Sequence, residues 1–431
     1  MKLSDNCEIA VPESQLVRLS PFAGISLQEL CEKNPGLLIF PHSLGANEDD
    51  IGGQHLFDII GGKLKTGNIL GFFCIEEIQI AIHSRFDESD KQYFLHYMLQ
   101  KVMGINILNL KNQMGPDEVW EFLIYLFPYC LERALNQGIF RAYRQYECND
   151  CKVKGVIDVA RHLKLNQPFA GEIAYRVREY SADNSVTQLI RHTIEFIKSD
   201  ERRSHILRGN TEIKNAVAKI MEITPSYNPQ NRGKVIFQNS RTAGHPYFTE
   251  YTFLRNLCLK ILRHDKVSAG LEEKHIRGIV FDGAWLWEEY LATILKKMNF
   301  EHPENKTGKG RRYLYEDGKS GPIFPDFIGE NSILDAKYKL LDEQSISRED
   351  RFQMISYMHV LKCNAGYLLY PSKNENSQIS RKTLNGLGGS LGTIPFYIPN
   401  AADWDGFSKA MQFSEKSFCL AVGTATGSAH Q

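Results

Sequence analysis

The sequence predicts an α+β protein: an N-terminal mixed α/β region, a helical middle section, and a C-terminal mixed sheet flanked by helices. Three observations carry this reading. Short β-like runs share the first 150 residues with one long apolar stretch, helical spacing dominates residues 181–262, and from Ile279 the order becomes α-β-β-α-β. At 431 residues the chain exceeds the roughly 100–200 residues of one domain, so two or three folding units are expected. The boundaries read from these shifts are 1–150, 151–267, 268–400, and 401–431 as a C-terminal helix and flexible tail.

Taken in order, Gly36–Phe40, Ile69–Ile75 and Ile78–Ile82 are β-like. Val119–Leu135 is helical, and Pro128 predicts a kink within it. Residues 152–180 predict a strand, a loop and a strand, because Val153, Val156, Ile157 and Val159 are β-branched and Gly155 marks a bend. Ser181–Asn184 supplies cap residues before Val186, Leu189, Ile190, Ile194 and Ile197, which follow helical spacing; Thr211–Ile223 and Phe248–Leu262 repeat it. Then come a helix (Trp285–Lys297), a Gly/Lys/Arg loop, strands at Ile323–Ile328 and Ser332–Tyr338, a helix (Asp350–Leu361), and strands at Gly366–Tyr370 and Ile394–Ile398. The small, polar end Ala421–Gln431 is expected to fray.

Hydrophobic residues at 42% and charged residues at 24% argue against long disorder, repeats or a multi-span membrane protein. Asp5 and Glu8 stand where a signal peptide needs an apolar run, and no stretch reaches ~18 uninterrupted apolar residues. The expectation is a soluble cytoplasmic chain with no membrane partner. Its nine cysteines show no paired spacing and fit reduced thiols. Net charge is zero, yet residues 1–150 hold 12 basic and 20 acidic groups, leaving 39 and 31 for the remainder. An acidic front and a basic back place any polyanion on the back part.

The informative stretch is Pro325-Asp326-Phe327 followed by Ile333-Leu334-Asp335-Ala336-Lys337-Tyr338. Gly329-Glu330-Asn331 between them has hairpin-turn chemistry. Residues two apart on a strand share a face, so Asp335 and Lys337 lie side by side while Leu334, Ala336 and Tyr338 turn the other way. Asp326 joins them across the hairpin. Two carboxylates and an ammonium suit a hard divalent cation, Mg²⁺, that keeps waters capable of being polarised into a nucleophile. Upstream, Glu288 on Trp285–Leu291 can reach the same place, and downstream Gln353 and Tyr357 share a helix face.

Acid helix, Pro-Asp, hydrophobic-Asp-x-Lys strand and Gln-x-x-x-Tyr helix, in this order, resemble the PD-(D/E)xK nuclease core. Closer still, Asp282, Trp287–Leu291, Pro325–Phe327, Leu334–Tyr338 and Asp350–Tyr357 resemble the McrC family, the nuclease subunit of McrBC-type modification-dependent restriction systems. Val153–Asp158, Arg161-His162 and Tyr180–Asn184 resemble what precedes the nuclease domain there. The resemblance covers about residues 150–400. It implies a restriction-endonuclease-like domain that cleaves DNA, with Asp326, Asp335 and Glu288 holding metal, Lys337 and Gln353 catalytic, and a McrB-type AAA+ GTPase as partner. Residues 1–150 are then expected to dock that partner. Lys306, Lys309, Arg311, Arg312 and Tyr357 are the DNA-contact candidates.

Two other functions stay open: a PD-(D/E)xK enzyme of another defence or repair system, and a non-catalytic assembly subunit that retains the fold. As a bland reading, Asp335 and Lys337 form a surface ion pair on an edge strand. Cys148 and Cys151 lack the further ligands of a zinc site, Lys306–Arg312 departs from a phosphate loop, and Gly386–Gly392 misses the dinucleotide fingerprint.

Overall fold

The computed structural model describes residues 1–34, 37–41, 53–76, 78–87, 92–104, 116–240, 247–263, 276–303, 305, 310–340, 346–386 and 388–427. Residues 1–119 and 273–431 form one unit, and residues 120–272 form a second. The boundaries read from the sequence fall across this division, because periodicity reports elements and not which sheet a strand will join.

The first unit opens with β1 (Lys2–Ser4), β2 (Glu8–Ala10), α1 (Glu13–Leu19), α2 (Leu27–Lys33), β3 (Leu37–Phe40), β4 (Phe57–Ile60), β5 (Lys63–Thr66), β6 (Ile69–Ile75), β7 (Ile78–His83) and α3 (Tyr93–Met103). β6 is apolar and buried along almost its whole length, which suits a central strand covered on both faces. It pairs antiparallel with β7 on one side and with the distant segment Ile276–Asp282 on the other. Two glycines permit that second pairing. A Cβ on Gly71 would lie 2.2 Å from the Ile279 carbonyl oxygen, and one on Gly278 would lie 2.3 Å from that of Phe72. Beneath the sheet, Leu19, Leu27 and Leu30 pack on Leu37, Ile39, Phe73 and Val280.

The second unit takes up α4 (Pro116–Asn136) from residue 120, then β8 (Ala142–Asp150), β9 (Val156–Ile157), α5 (Val159–Leu165) and β10 (Ile173–Ser181). Its helices are α6 (Ser185–Lys198), α7 (Glu201–Ser204), α8 (Thr211–Ile223), α9 (Arg232–Ser240) and α10 (Thr249–Leu262). α4 runs unbroken through Pro128, because Phe122, Phe127 and Leu131 are buried on both sides of it. The expected strand–loop–strand over 152–180 needs correction. The long partner of β10 is β8, over nine paired residues; β9 contributes two, and α5 occupies the expected loop. β8 escaped notice because its burial alternates among polar residues. α6 opens on Asn184, which accepts from Val186 and Thr187 N–H in a capping box, and buries Leu189, Ile190 and Ile194.

The chain then returns to the first unit with β11 (Ile276–Asp282), α11 (Gly283–Leu295), β12 (Arg312–Tyr313), β13 (Pro322–Ile323), β14 (Phe327–Ile328), β15 (Ser332–Ala336), α12 (Arg348–Leu361), β16 (Ala365–Ser372), β17 (Ser380–Thr383), β18 (Ser390–Tyr397) and α13 (Trp404–Thr426). β11 completes the first sheet, order β1-β7-β6-β11-β3. A second five-stranded sheet, order β14-β15-β16-β18-β17, has parallel β15, β16 and β18 between antiparallel edges. Met354, Tyr357 and Met358 of α12 pack on Ile333 and Leu368. On the opposite face Tyr367 donates to the Ala425 carbonyl of α13, and Phe396 meets Phe418 and Trp287.

The single strand expected at Ile323–Ile328 is two. β13 pairs with β12 and β14 with β15, because Pro325 has no N–H to continue a ladder. Residues 421–426 are helical rather than frayed, held by buried Val422 and Ala425. The molecule is thus mixed α+β, and among the described residues no helix is long and apolar enough to cross a membrane.

Candidate functional site

Asp335 and Lys337 leave the end of β15 on the face that α12 covers, as alternation requires. Asp335 is 2% exposed, and Lys337 Nζ stands 2.7 Å from its Oδ2. The ammonium also donates to Gln353 Oε1 at 3.0 Å and lies 3.7 Å from Asp350 Oδ1. Gln353 in turn donates to the Tyr357 hydroxyl at 2.8 Å, and that hydroxyl donates to the Phe324 carbonyl at 3.2 Å. One helix face therefore ties the lysine to the segment that carries Pro325 and Asp326.

Asp326 reaches across the hairpin, where its Oδ2 accepts the Ala336 N–H at 2.8 Å. Its carboxyl is pushed well above the usual range by burial first, then by the negative charges of Glu288 and Asp335. Burial raises Asp335 as well, against the pull of Lys337. Burial works against the Lys337 ammonium, but the surrounding carboxylates outweigh it and hold this lysine above its ordinary value. Asp350 is lowered: burial opposes ionisation, and hydrogen bonds from Lys339 and Ser347 more than offset it.

Glu288 stands on α11, whose start is capped by Asp282 accepting from Ala284 N–H at 2.9 Å. The site thus gathers Asp326, Asp335, Lys337 and Gln353 as the sequence predicted, with Glu288 near enough to raise Asp326. The donor set of acidic oxygens is that of a hard divalent cation, and two carboxylates raised first by burial, Asp326 further by Glu288 and Asp335 and Asp335 further by Asp350, are what such an ion would neutralise. Among the described residues, however, no three His, Cys, Asp or Glu side chains are gathered closely enough to hold a metal ion.

Of the DNA-contact candidates, Lys306 and Lys309 lie outside the described residues. Arg311 is exposed, with its guanidinium 5.9 Å over the Phe324 ring. Arg312 pairs with Glu301 at 3.6 Å. Tyr357, expected to face DNA, is instead 4% exposed and packs between helix and sheet; a phenol at i+4 from Gln353 lies on the sheet-facing side. Sequence reasoning missed three residues. Lys339 pairs with Asp350 Oδ2 at 2.5 Å. Asp350 itself bridges both lysines. His302, in a segment without periodicity, has Nδ1 2.9 Å from the Asp326 carbonyl oxygen. Cys148 and Cys151 are free thiols.

Two buried carboxylates and a lysine at the edge of a helix-covered mixed sheet define an α+β protein with an acid–lysine site. A family model described as the McrBC 5-methylcytosine restriction system component matches residues 64–371. The chain belongs to that family, and the McrC resemblance read from its motifs is borne out at this level. Among solved structures it is similar to a chain of the refined half-complex from a tetradecameric assembly of Thermococcus gammatolerans McrB AAA+ hexamers with bound McrC. That similarity has 15% identity and a TM-score of 0.49, covering 98% of this chain and 99% of that one. A chain of the Thermococcus gammatolerans McrBC complex solved by cryo-EM is 16% identical with a TM-score of 0.29, covering 71% and 89%. No curated protein matches it.

Proposed function

We propose that the chain is the Mg²⁺-dependent DNA endonuclease subunit of an McrBC-like restriction system, a cytoplasmic antiviral defence in which it works with a McrB-type AAA+ GTPase. Its C-terminal sheet and helices serve as a PD-(D/E)xK nuclease domain. The observation that carries this reading is the convergence of Lys337 Nζ on Asp335 Oδ2 at 2.7 Å and Gln353 Oε1 at 3.0 Å, with Asp326 bonded to the same strand at Ala336. A surface ion pair would not need the hairpin partner, the flanking glutamate or the helix clamp.

Asp326 and Asp335 would hold the cation, with Glu288 assisting; bound Mg²⁺ supplies positive charge for the phosphodiester and acidifies water. Lys337 stays an ammonium at neutral pH, so it does not take a proton from water. It donates to the attacking water or to the phosphoryl oxygen on which charge develops. Gln353 fixes where that ammonium points. Arg311 lies at the rim, where phosphate contacts would add salt-sensitive affinity.

Residues 1–150 dock the GTPase in this proposal, and an exposed apolar patch in the second unit adds to that docking. Val156 is 79% exposed, Val159 62% and Phe169 64%, and with Ile157, Leu163 and Leu165 they give β9, α5 and the following loop a concentration of apolar surface that a solitary subunit has no reason to display.

The test is plasmid cleavage with Mg²⁺, with and without a McrB-type AAA+ GTPase, on methylated and unmethylated DNA. The wild type should cut when partner, GTP and Mg²⁺ are present, and Asp335→Asn should not. Cleavage by a folded Asp335→Asn protein at the wild-type rate would reject the site.

A further inference from the structure

His302 lies in a segment that follows α11 and runs beside β14. Glu301 exchanges backbone hydrogen bonds with Ile328 at 2.8 and 2.9 Å, and the Asn305 amide donates to the Pro325 carbonyl at 3.0 Å. Between them, His302 Nδ1 is 2.9 Å from the Asp326 carbonyl oxygen. A carbonyl only accepts, so Nδ1 carries the hydrogen. The ring stacks on Phe327 with centroids 5.0 Å apart, which leaves Nε2 aimed at α11, 4.0 Å from Glu288 Oε1 and 3.9 Å from Glu289 Oε1. One imidazole thus touches the backbone of the hairpin aspartate and faces both acids of the neighbouring helix.

Resting on the nuclease reading above, we propose that His302 is a positioning residue that sets the spacing between Asp326 and the α11 acids. Its two nitrogens divide the task. Nδ1–H fixes the Asp326 backbone, and the Nε2 edge of the ring faces the Glu288 and Glu289 carboxylates at 4.0 and 3.9 Å and bounds the space they can occupy. Outer partners of this kind typically govern metal affinity by ~10–100-fold. The aromatic stack restricts the ring to one orientation, so neither half works if the imidazole is cut away.

The two halves can be separated chemically. In His302→Asn the amide nitrogen takes the place of Nδ1 and keeps the Asp326 bond; in His302→Gln it takes the place of Nε2 and keeps the side facing the glutamates. Mn²⁺ binding to the full chain, read by titration calorimetry without partner or DNA, should weaken about tenfold or more in His302→Ala. Each of the other two variants should recover part of that loss, while urea midpoints report folding separately. Wild-type affinity in all three variants overturns the role, as does an equal loss in all three, which would mean that the ring matters only as packing. A wild-type chain that binds Mn²⁺ no better than Asp326→Asn overturns the acid site itself, and the positioning role with it.

Discussion

On the proposed nuclease reading, substitution of Lys337 separates charge stabilisation from metal binding. Lys337→Ala should lower partner-dependent cleavage about 100-fold or more and leave Mn²⁺ affinity within a few-fold, because an ammonium is not a ligand; lost affinity would show that it organises the carboxylates. Asp5 gives a second test at this scale. It is fully buried beside Arg85, whose NH1 lies 2.9 Å from Oδ2 and whose NH2 donates to the Tyr338 carbonyl. Burial, only partly offset by Arg85, lifts it to about 6. Between about pH 4 and 6 the folded chain keeps a proton that the unfolded chain has lost. Stability should therefore fall by about 3 kcal/mol as pH rises through that window and stay level above it. Urea unfolding of wild type and Asp5→Asn from pH 4 to 7 should show this slope in their difference; a constant difference would refute it. The acid–lysine residues were legible because fixed strand and helix spacings bring them together. His302 and Asp350 were not, since each acts through a backbone carbonyl or a side chain that no periodicity reports.

Among the elements, β11 matters most, since it fills the first sheet between β6 and β3 and ends in the cap of the acid helix. Gly278 lies at φ +151° with Phe72 and Phe73 where a side chain would go. Gly278→Val should cost about 2 kcal/mol or more, seen as a lower urea midpoint of the first unit. The same substitution at Gly318, an open turn position at φ +62°, should disturb only its own turn, leaving that midpoint less affected. Sequence reading found β7, α6, α8, α10 and α12 because each buries one face in a regular pattern, and β6 because it is one continuous apolar run. It did not find that β11 belongs with β6, since apolar alternation names a face and not a neighbour. The helix expected over Val119–Leu135 is present as α4, which continues through Pro128 with buried residues on both sides of it.

At the scale of the molecule, the first unit is assembled from both ends of the chain and the second from its middle. A 116–263 fragment should fold cooperatively alone, with helical circular dichroism and a sharp urea transition, because its core of Leu189, Ile194, Leu254 and Leu257 is its own. A 151–431 fragment should aggregate, because it strands β11 without β3 and β6; a soluble, cooperative 151–431 would contradict the division. Val159→Asp with Leu163→Asp should reduce stimulation of the partner's GTPase at least tenfold and leave Mn²⁺ binding unchanged; full stimulation would remove α5 from the docking surface. The split unit also sets a clock on the ribosome. β6 emerges about 200 residues before β11, so at roughly 5–20 residues per second the nascent sheet waits tens of seconds with its central slot open. Asp326 and Lys337 are translated later still, so a ribosome that stalls within the second unit leaves a truncated chain that has neither residue and, on the nuclease reading, none of the chemistry that would endanger its host's DNA.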